Sequence, residues 1–146
     1  MSVYRFAYTT YKEQSDQRLL DRLSEALFVL KVDRQGQLAA QQLSNADVQR
    51  ARESLLDFLD VFAARVRLLR GEPVAGPVDL AFTGLADRFV RVRPDDFADR
   101  LDELMRARGH LARGQLLTEL DFRRLDALQG LLEEETAEGV RGLYQF

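Results

Sequence analysis

The chain has no cysteine and a single histidine, His110. Without thiols it has no disulfide framework, no Cys-based zinc site and no catalytic cysteine, and it suits a reducing compartment. With one imidazole, a His-based metal site would need carboxylates for its other ligands, and a Ser-His-Asp triad could form only around His110. Because His110 follows a predicted helix end, we interpret it as a helix-end residue. We therefore predict no catalytic residue, no metal and no cofactor.

Long apolar runs and a strong net charge are also absent. No apolar run approaches the roughly 18–20 residues that span a bilayer, and the N-terminus lacks the basic-then-apolar pattern of a secretory signal. We therefore expect a cytoplasmic protein that does not contact a membrane. The formal net charge of −3 gives the surface as a whole no attraction for nucleic acid.

The composition is ordinary for a globular protein, since 46% of the residues are hydrophobic and 31% are charged. A length of 146 residues fits one domain. A domain of this size buries roughly 70% of its unfolded surface and needs no covalent staple. We expect a single helical domain over residues 1–146.

Residues 1–14 differ from the rest of the chain, because aromatic and β-forming residues alternate there. Tyr4, Phe6 and Tyr8 fall on one face of the short strand, or arm, that this pattern predicts. A lone strand is unstable in water and needs an edge to pair with. We expect that edge to come from the apolar C-terminal tail, residues 139–146, or from another molecule.

Ser15 and Asp16 begin a predicted helix whose apolar residues recur at helical spacing. Two interpretations of the following stretch, residues 27–40, stay open. It ends this helix, or it begins a hairpin, because residues 33–36 (Asp-Arg-Gln-Gly) suit a type I turn.

The helix predicted over about 45–70 is the most informative element. Ser44 is its N-cap and Gly71 ends it. Its apolar residues occupy so wide an arc that only a narrow strip is left for water, whereas an ordinary surface helix shows a narrower apolar band. The helix is therefore either the centre of a bundle or covered on its second side by another chain.

The second half of the chain predicts further helices. They are expected at about 82–89, 95–108, 111–120 and 121–137, with an extended segment at 90–93 before Pro94. Gly109 ends the second of these helices, and Thr118 with Asp121 caps the last. Altogether the patterns predict a mainly α fold. It is a helical bundle of about five helices, with a long central helix (about 45–70) and a minor β element from the N-terminal segment.

Arginines cluster at three places in the sequence. The three clusters are Arg65, Arg67 and Arg70; Arg88, Arg91 and Arg93; and Arg106, Arg108 and Arg113. If the fold brought the clusters together, they would form a phosphate-binding patch. Residues 95–133 also allow a winged-helix arrangement, although the mixed charge of its recognition helix, residues 121–133, does not favour DNA. Association with nucleic acid is therefore the alternative function.

A third hypothesis concerns three carboxylates. Asp95, Asp99 and Asp102 share one helix face, and carboxylates in a row could hold Mg²⁺ or Ca²⁺ through water. We interpret them instead as the solvated side of their helix.

The leading hypothesis is a non-catalytic interaction or assembly subunit of a cytoplasmic bacterial protein complex, acting as a homo-oligomer or with a protein partner. It rests on the wide apolar arc of the 45–70 helix and on the aromatic residues at both ends of the chain. The predicted interface residues are Tyr4, Phe6, Tyr8, Phe58, Val61, Leu68, Tyr144 and Phe146.

Overall fold

Helices make up most of the chain in the computed structural model, which describes residues 3–72, 83–92 and 97–143. Within these ranges, side chains are described for residues 17–72, 85–87, 89–91 and 98–133. The helices are α1 (Val3–Arg34), α2 (Asn45–Leu69), α3 (Thr83–Val92), α4 (Phe97–Ala112) and α5 (Glu119–Leu143). The mainly helical fold predicted from the sequence is confirmed.

The predicted N-terminal strand is not supported, because α1 begins at Val3 and continues to Arg34. No residue in the described ranges belongs to a β-strand, so a strand here would have no described edge to pair with. A helix satisfies its backbone hydrogen bonds within itself and needs no such partner. At the other end of the chain, residues 139–143 of the predicted tail continue α5, and Tyr144 and Phe146 lie outside the described residues.

Three helices end in the same way, with a glycine in the left-handed region directly after the last turn. Gly36, Gly71 and Gly114 have φ values of 69°, 80° and 72°. After α1, for example, Gly36 N donates to Asp33 O and Gln37 N donates to Val32 O, which is the Schellman arrangement. Residues 27–40 therefore end a helix, and the hairpin interpretation is wrong.

The ends of α2 follow the prediction closely. Ser44 and Asp47 form a reciprocal capping box, in which the Asp47 N–H donates to Ser44 Oγ and the Ser44 N–H donates to Asp47 Oδ2. At the other end, Gly71 N donates to Leu68 O. Residues close to each other in the sequence therefore determine where this helix begins and where it ends.

The wide apolar arc of α2 is covered by this chain's own helices, since α2 contacts α1, α3 and α4. Phe62 is fully buried, stacks on Phe58 at 5.7 Å between ring centroids, and meets Phe89 of α3 edge-on at 5.4 Å. In the last turn, Leu68 and Leu69 stay 42% and 37% exposed. Of the two interpretations of this helix, the centre of the bundle is the one observed.

The four long helices form an antiparallel ring. α1 and α2 pack beside each other, α2 packs on α4, and α4 and α1 each pack on α5. Two contacts between helix ends give the directions. Lys31, near the end of α1, pairs with Asp126 early in α5 at 2.7 Å. Arg52, early in α2, donates to the Leu111 carbonyl late in α4. The shorter α3 packs on α2, α5 and α1.

This arrangement places the two connecting loops, residues 35–44 and 113–118, at one end of the bundle, which we call the loop end. The end of α1, the start of α2, the end of α4 and the start of α5 all meet there. The last turn of α2 and the start of α4 lie at the opposite end.

Several predicted boundaries in the second half are wrong. Residues 90–92 are helical, because Pro94 restricts only the residue directly before it. α4 runs through Gly109 to Ala112, because the buried series continues through Ala107 to Leu111 and the left-handed turn comes at Gly114. No helix fills 111–120, since a four-residue loop separates the turn after α4 from α5.

Candidate functional site

The loop at residues 113–118 is held in place from α2. Arg52 donates from Nη2 to the carbonyl oxygens of Leu111, at 3.3 Å, and of Gln115, at 2.7 Å. The last carbonyls of a helix have no partner within the helix, and they carry the negative end of its dipole. A cation from a neighbouring helix therefore fixes the end of α4 and the first half of the loop.

The second half of the same loop is held from α1. Arg34 donates from Nη1 to the Leu117 carbonyl at 3.0 Å, and its guanidinium lies over the Phe122 ring, 5.9 Å from the centroid. Leu117 itself is buried, at 5% exposure. Two helices that are distant in sequence thus hold the two halves of one short loop.

A third anchor joins α4 directly to α5. The Thr118 N–H donates to Asp121 Oδ2 at 2.9 Å, and the Asp121 N–H donates to Thr118 Oγ1 at 3.1 Å, so the predicted cap is confirmed. His110 Nδ1 lies 2.7 Å from the same carboxylate oxygen. Because an ionised carboxylate only accepts, Nδ1 carries the hydrogen of this bond.

Asp121 is 1% exposed, and it is the one buried charged residue among the described side chains. Burying a carboxylate is costly unless it is hydrogen-bonded, and its Oδ2 receives the Thr118 N–H and the His110 ring nitrogen. His110 lies inside the last turn of α4, whereas the sequence placed it just past a helix end. Its partner, eleven residues further on, was not predicted.

Beside this pair runs a shallow groove of about 620 Å³ between the end of α4 and the start of α5, which we call the α4–α5 groove. It is lined by Asp102, Met105, Arg106, Gly109, His110, Arg113, Thr118, Leu120, Asp121 and Arg124. The His110 side chain is 29% exposed and lines the groove, and the bond to Asp121 is the one described for its ring.

Two arginines of the groove form no ion pair with any residue whose side chain is described. Arg106 has no hydrogen-bond partner either, and Arg113 donates only a long bond, 3.4 Å, to Gln115 Oε1. The Arg113 guanidinium packs over Gly109, 3.3 Å from where a Cβ would stand. By contrast, Arg124 is largely buried and lies 3.8 Å from Glu103. Within the described part of the chain, the groove therefore carries two arginines that lack an ion-pair partner, with the carboxylate of Asp102 in the same lining.

The loop end also carries exposed leucines. Leu116 is 72% exposed and Leu120, which lines the groove, is 51% exposed. A single exposed leucine is common on protein surfaces. Leu116, however, is the most exposed large apolar residue of those described, and it lies on a loop fixed from both sides.

The sequence missed these leucines because they flank the Thr118 cap and lie outside the apolar series of α5, which Phe122 begins. The sequence does contain a signal for their exposure: both leucines lie close to a helix cap and outside the series of residues that the helix buries.

Catalytic and metal chemistry find no further support at this end of the bundle. The only hydrogen bond described for the His110 ring goes to Asp121, and the Thr118 hydroxyl accepts from the Asp121 N–H, so no hydroxyl is positioned against the imidazole. In the part of the chain with described side chains, no three His, Asp or Glu residues are placed to share a metal ion. Asp99 and Asp102 are exposed, and Asp95 lies outside the described residues.

The first and third arginine clusters lie at different levels along the bundle. α2 begins at the loop end and runs away from it. Arg67 lies seven residues beyond Asp60 in this helix, so it is about 10 Å further from the loop end. Asp60 itself pairs with Arg108 at 2.7 Å, and this hydrogen bond raises the pKa of Arg108 above its usual value.

In the first cluster, Nε of Arg65 is buried without a partner, and Arg70 is exposed at the end of α2. In the middle cluster, Arg91 lies 3.6 Å from Asp87, and the side chains of Arg88 and Arg93 are outside the described set. Of the predicted phosphate contacts, only Arg106 and Arg113 share a surface and lack an acidic partner in the described part of the chain.

The predicted interface residues are scattered. Phe58 is 5% exposed in the core, Val61 is half-buried, and Leu68 is exposed at the end opposite the loops. The side chains of Tyr4, Phe6, Tyr8, Tyr144 and Phe146 lie outside the described residues.

The winged-helix arrangement is wrong for residues 95–133, because the helix it needs between 111 and 120 is a loop. α4 and α5 instead form an antiparallel hairpin, tied at one level by His110 with Asp121 and at another by Glu103 with Arg124. None of the helices in the described ranges combines the length and the apolarity that crossing a bilayer requires.

Comparisons of this chain with protein-family models, with curated proteins and with solved structures found no match. The functional inference therefore rests on the geometry of the loop end.

Proposed function

We propose that this chain is a non-catalytic interaction subunit of a cytoplasmic protein complex, and that it binds its protein partner through the loop end of the bundle. The observation that carries the proposal is the exposure of Leu116 on a loop that Arg34 and Arg52 fix in place. The chain contributes arginines from two other helices to hold a short loop whose most prominent side chain is apolar and faces water.

The energetics of association favour such a surface. Fully burying an exposed leucine contributes about 1.5–3 kcal/mol, while ordering a mobile side chain or loop on binding costs about 0.5–1.5 kcal/mol for each side chain. Because the loop is already ordered by its hydrogen bonds, much of that cost is met before the partner arrives. Leu116 and Leu120 therefore suit the role of interface anchors, with the polar loop around them as the rim.

The alternative, association with nucleic acid, has weaker support. A phosphate-binding surface needs several cations along the path of the backbone. Here Arg67 lies about 10 Å further from the loop end than Asp60, and Arg108 is already paired with Asp60. At the start of α5, Arg123 lies 3.1 Å from Glu119, so that exposed face is of mixed charge.

Partner capture from the native cell tests the proposal when two variants are compared. Leu116→Ser combined with Leu120→Ser removes the anchors, and Phe28→Ser removes a similarly exposed apolar side chain on α1. We expect a protein captured stoichiometrically by the wild type to be lost, about tenfold or more, from the double variant and retained by the Phe28→Ser protein. The proposal fails if the double variant captures the same proteins in the same amounts.

Light scattering coupled to size exclusion tests the case in which the partner is a second copy of the chain. We then expect a wild-type mass above 16.7 kDa that falls to the monomer value in the double variant. Circular dichroism of each variant checks that the helices are intact.

A further inference from the structure

We infer that the α4–α5 groove binds an acidic amphipathic segment of the partner, with its carboxylates on Arg106 and Arg113 and an apolar side chain against Met105 and Leu120. This inference rests on the proposed function and specifies the chemistry of the partner.

The first argument for an acidic ligand is that two arginines of the groove lack an acidic partner in the described part of the chain. Among the other arginines of the described part, Arg50 pairs with Asp47, Arg108 with Asp60 and Arg123 with Glu119, while Arg34 and Arg52 donate to loop carbonyls. Arg106, in α4, and Arg113, two turns further on and directly after the helix, have neither an acidic partner nor a backbone carbonyl partner among the described residues. A guanidinium presents a planar fork of donors that fits a carboxylate in two parallel hydrogen bonds. Two such forks on one helix face can receive two acidic side chains.

The second argument, that the ligand also carries an apolar side chain, comes from the apolar residues that line the groove. Met105 is half-buried and Leu120 is 51% exposed, and both line the groove beside the arginines. An unbranched thioether adapts its shape to different apolar side chains. A ligand that carried only negative charge would leave both of these side chains unused, whereas an amphipathic segment covers them and the cations together.

The third step distinguishes an acidic protein segment from a polyphosphate. Asp102 lines the same groove, and Glu119 begins α5 beside it. A nucleic-acid backbone carries a charge at every nucleotide and cannot avoid these carboxylates. A peptide can place its acidic residues on Arg106 and Arg113 alone and turn neutral residues toward Asp102.

The last step is the rigidity of the groove. Its walls are tied by His110 with Asp121 at 2.7 Å and by Glu103 with Arg124 at 3.8 Å. A groove that is formed before binding needs little rearrangement. The positions of its charges and of its apolar contact therefore determine which segments bind.

Selection from a phage-displayed library of random peptides, about 12 residues long or roughly 18 Å as a helix, tests the inference on the intact chain. Peptides retained by the wild type are counter-selected on the Leu116→Ser, Leu120→Ser protein. Binding of enriched peptides is then measured by fluorescence anisotropy. We expect the enriched sequences to combine Asp or Glu with Leu, Ile, Met or Phe at helical spacing.

The decisive variant is Arg106→Gln with Arg113→Gln. We expect it to weaken binding of the enriched peptide by about tenfold or more, while Arg123→Gln, an exposed arginine already paired with Glu119, leaves binding unchanged. A charge-reversed protein, Arg106→Glu with Arg113→Glu, should bind a peptide in which lysines replace the acidic residues. This rescue separates a direct charge contact from a general loss of structure.

Three outcomes would overturn the inference in distinguishable ways. Enriched peptides that need Leu116 and Leu120 but carry no acidic bias, and that bind the Arg106→Gln, Arg113→Gln protein equally well, overturn the groove inference and leave the proposed function standing. A library that yields no sequence preferring the wild type to the leucine variant counts against both. Tighter binding of a single-stranded oligonucleotide than of the peptide, lost in the same arginine variant, replaces the acidic segment with nucleic acid.

Discussion

His110 and Asp121 join the last turn of α4 to the first turn of α5 through a hydrogen bond of 2.7 Å between Nδ1 and Oδ2. The same carboxylate oxygen receives the Thr118 N–H. One buried acidic side chain therefore caps a helix, orients an imidazole beside the α4–α5 groove and closes the loop that carries Leu116.

Replacing Asp121 with alanine is expected to destabilise the fold by about 2–4 kcal/mol. The change removes a helix cap and leaves the Thr118 N–H and the His110 ring nitrogen without an acceptor. Urea unfolding followed by circular dichroism measures the loss. Asp126→Ala is the control, because Asp126 is half-exposed and its pair with Lys31 contributes about 0–1 kcal/mol. Equal losses in the two variants would show that Asp121 has no special role.

Leu116 and Leu117 are adjacent but are expected to differ sharply when each is changed to alanine. Leu117 is 5% exposed, so its truncation should cost about 2–5 kcal/mol. Leu116 is 72% exposed, so its truncation should change the free energy of unfolding by less than about 0.5 kcal/mol. The same unfolding measurement decides the matter. A large loss for Leu116→Ala would mean that this side chain is part of the core and not a docking residue.

Arg52→Ala is expected to loosen the loop at 113–118, because the Gln115 carbonyl loses its donor and the Leu111 carbonyl keeps only the Gly114 N–H. We expect faster hydrogen exchange at the loop amides and a loss of about 1–3 kcal/mol in stability. Arg123→Ala is the control, since its pair with Glu119 lies on the exposed face of α5. Unchanged exchange in the Arg52→Ala loop would contradict the proposal that this loop is fixed from α2.

Two glycines should respond with opposite sign to alanine. Gly114 has φ +72°, where a Cβ costs about 1–2 kcal/mol, so Gly114→Ala should destabilise. Gly130 lies inside α5 with open space around it, so Gly130→Ala should stabilise by about 0.5–1 kcal/mol. Thermal melts of the two variants should move in opposite directions. A stabilised Gly114→Ala protein would show that α4 does not end in this turn.

The capping box of α2 should make stability depend on acid. The Ser44 backbone N–H, then Arg50 and the Ser44 hydroxyl, lower the pKa of Asp47 below its ordinary value of 3.8. A lowered folded pKa stabilises the fold above the unfolded value, and this contribution is lost as the pH falls through the folded value.

Unfolding curves taken below about pH 5 test this dependence. We expect the free energy of unfolding to fall less steeply with acid in Asp47→Asn than in the wild type. Asp57→Asn, at an exposed site on the same helix, is the control. Identical slopes for Asp47→Asn and the wild type would remove Asp47 from the acid response.

The helical fold follows from local features of the sequence. Ser44 with Asp47 and Thr118 with Asp121 are recognisable caps, because the hydrogen bonds involved join residues three apart. Gly71 stops α2 for an equally local reason, since only glycine enters the left-handed region without strain. The predicted N-terminal strand is not supported, and alternation alone does not show whether a neighbouring strand is available for pairing.

Only the tertiary structure decided which apolar and charged side chains lie at the surface. Phe58 and Leu116 are both apolar, yet one is buried and the other is exposed, because the packing of α2 against its neighbours covers Phe58 and nothing in the described chain covers Leu116. The donors that fix the loop, Arg34 and Arg52, come from residues 83 and 63 positions away. Burial and charge pairing depend on such distant neighbours, which periodicity and caps do not encode.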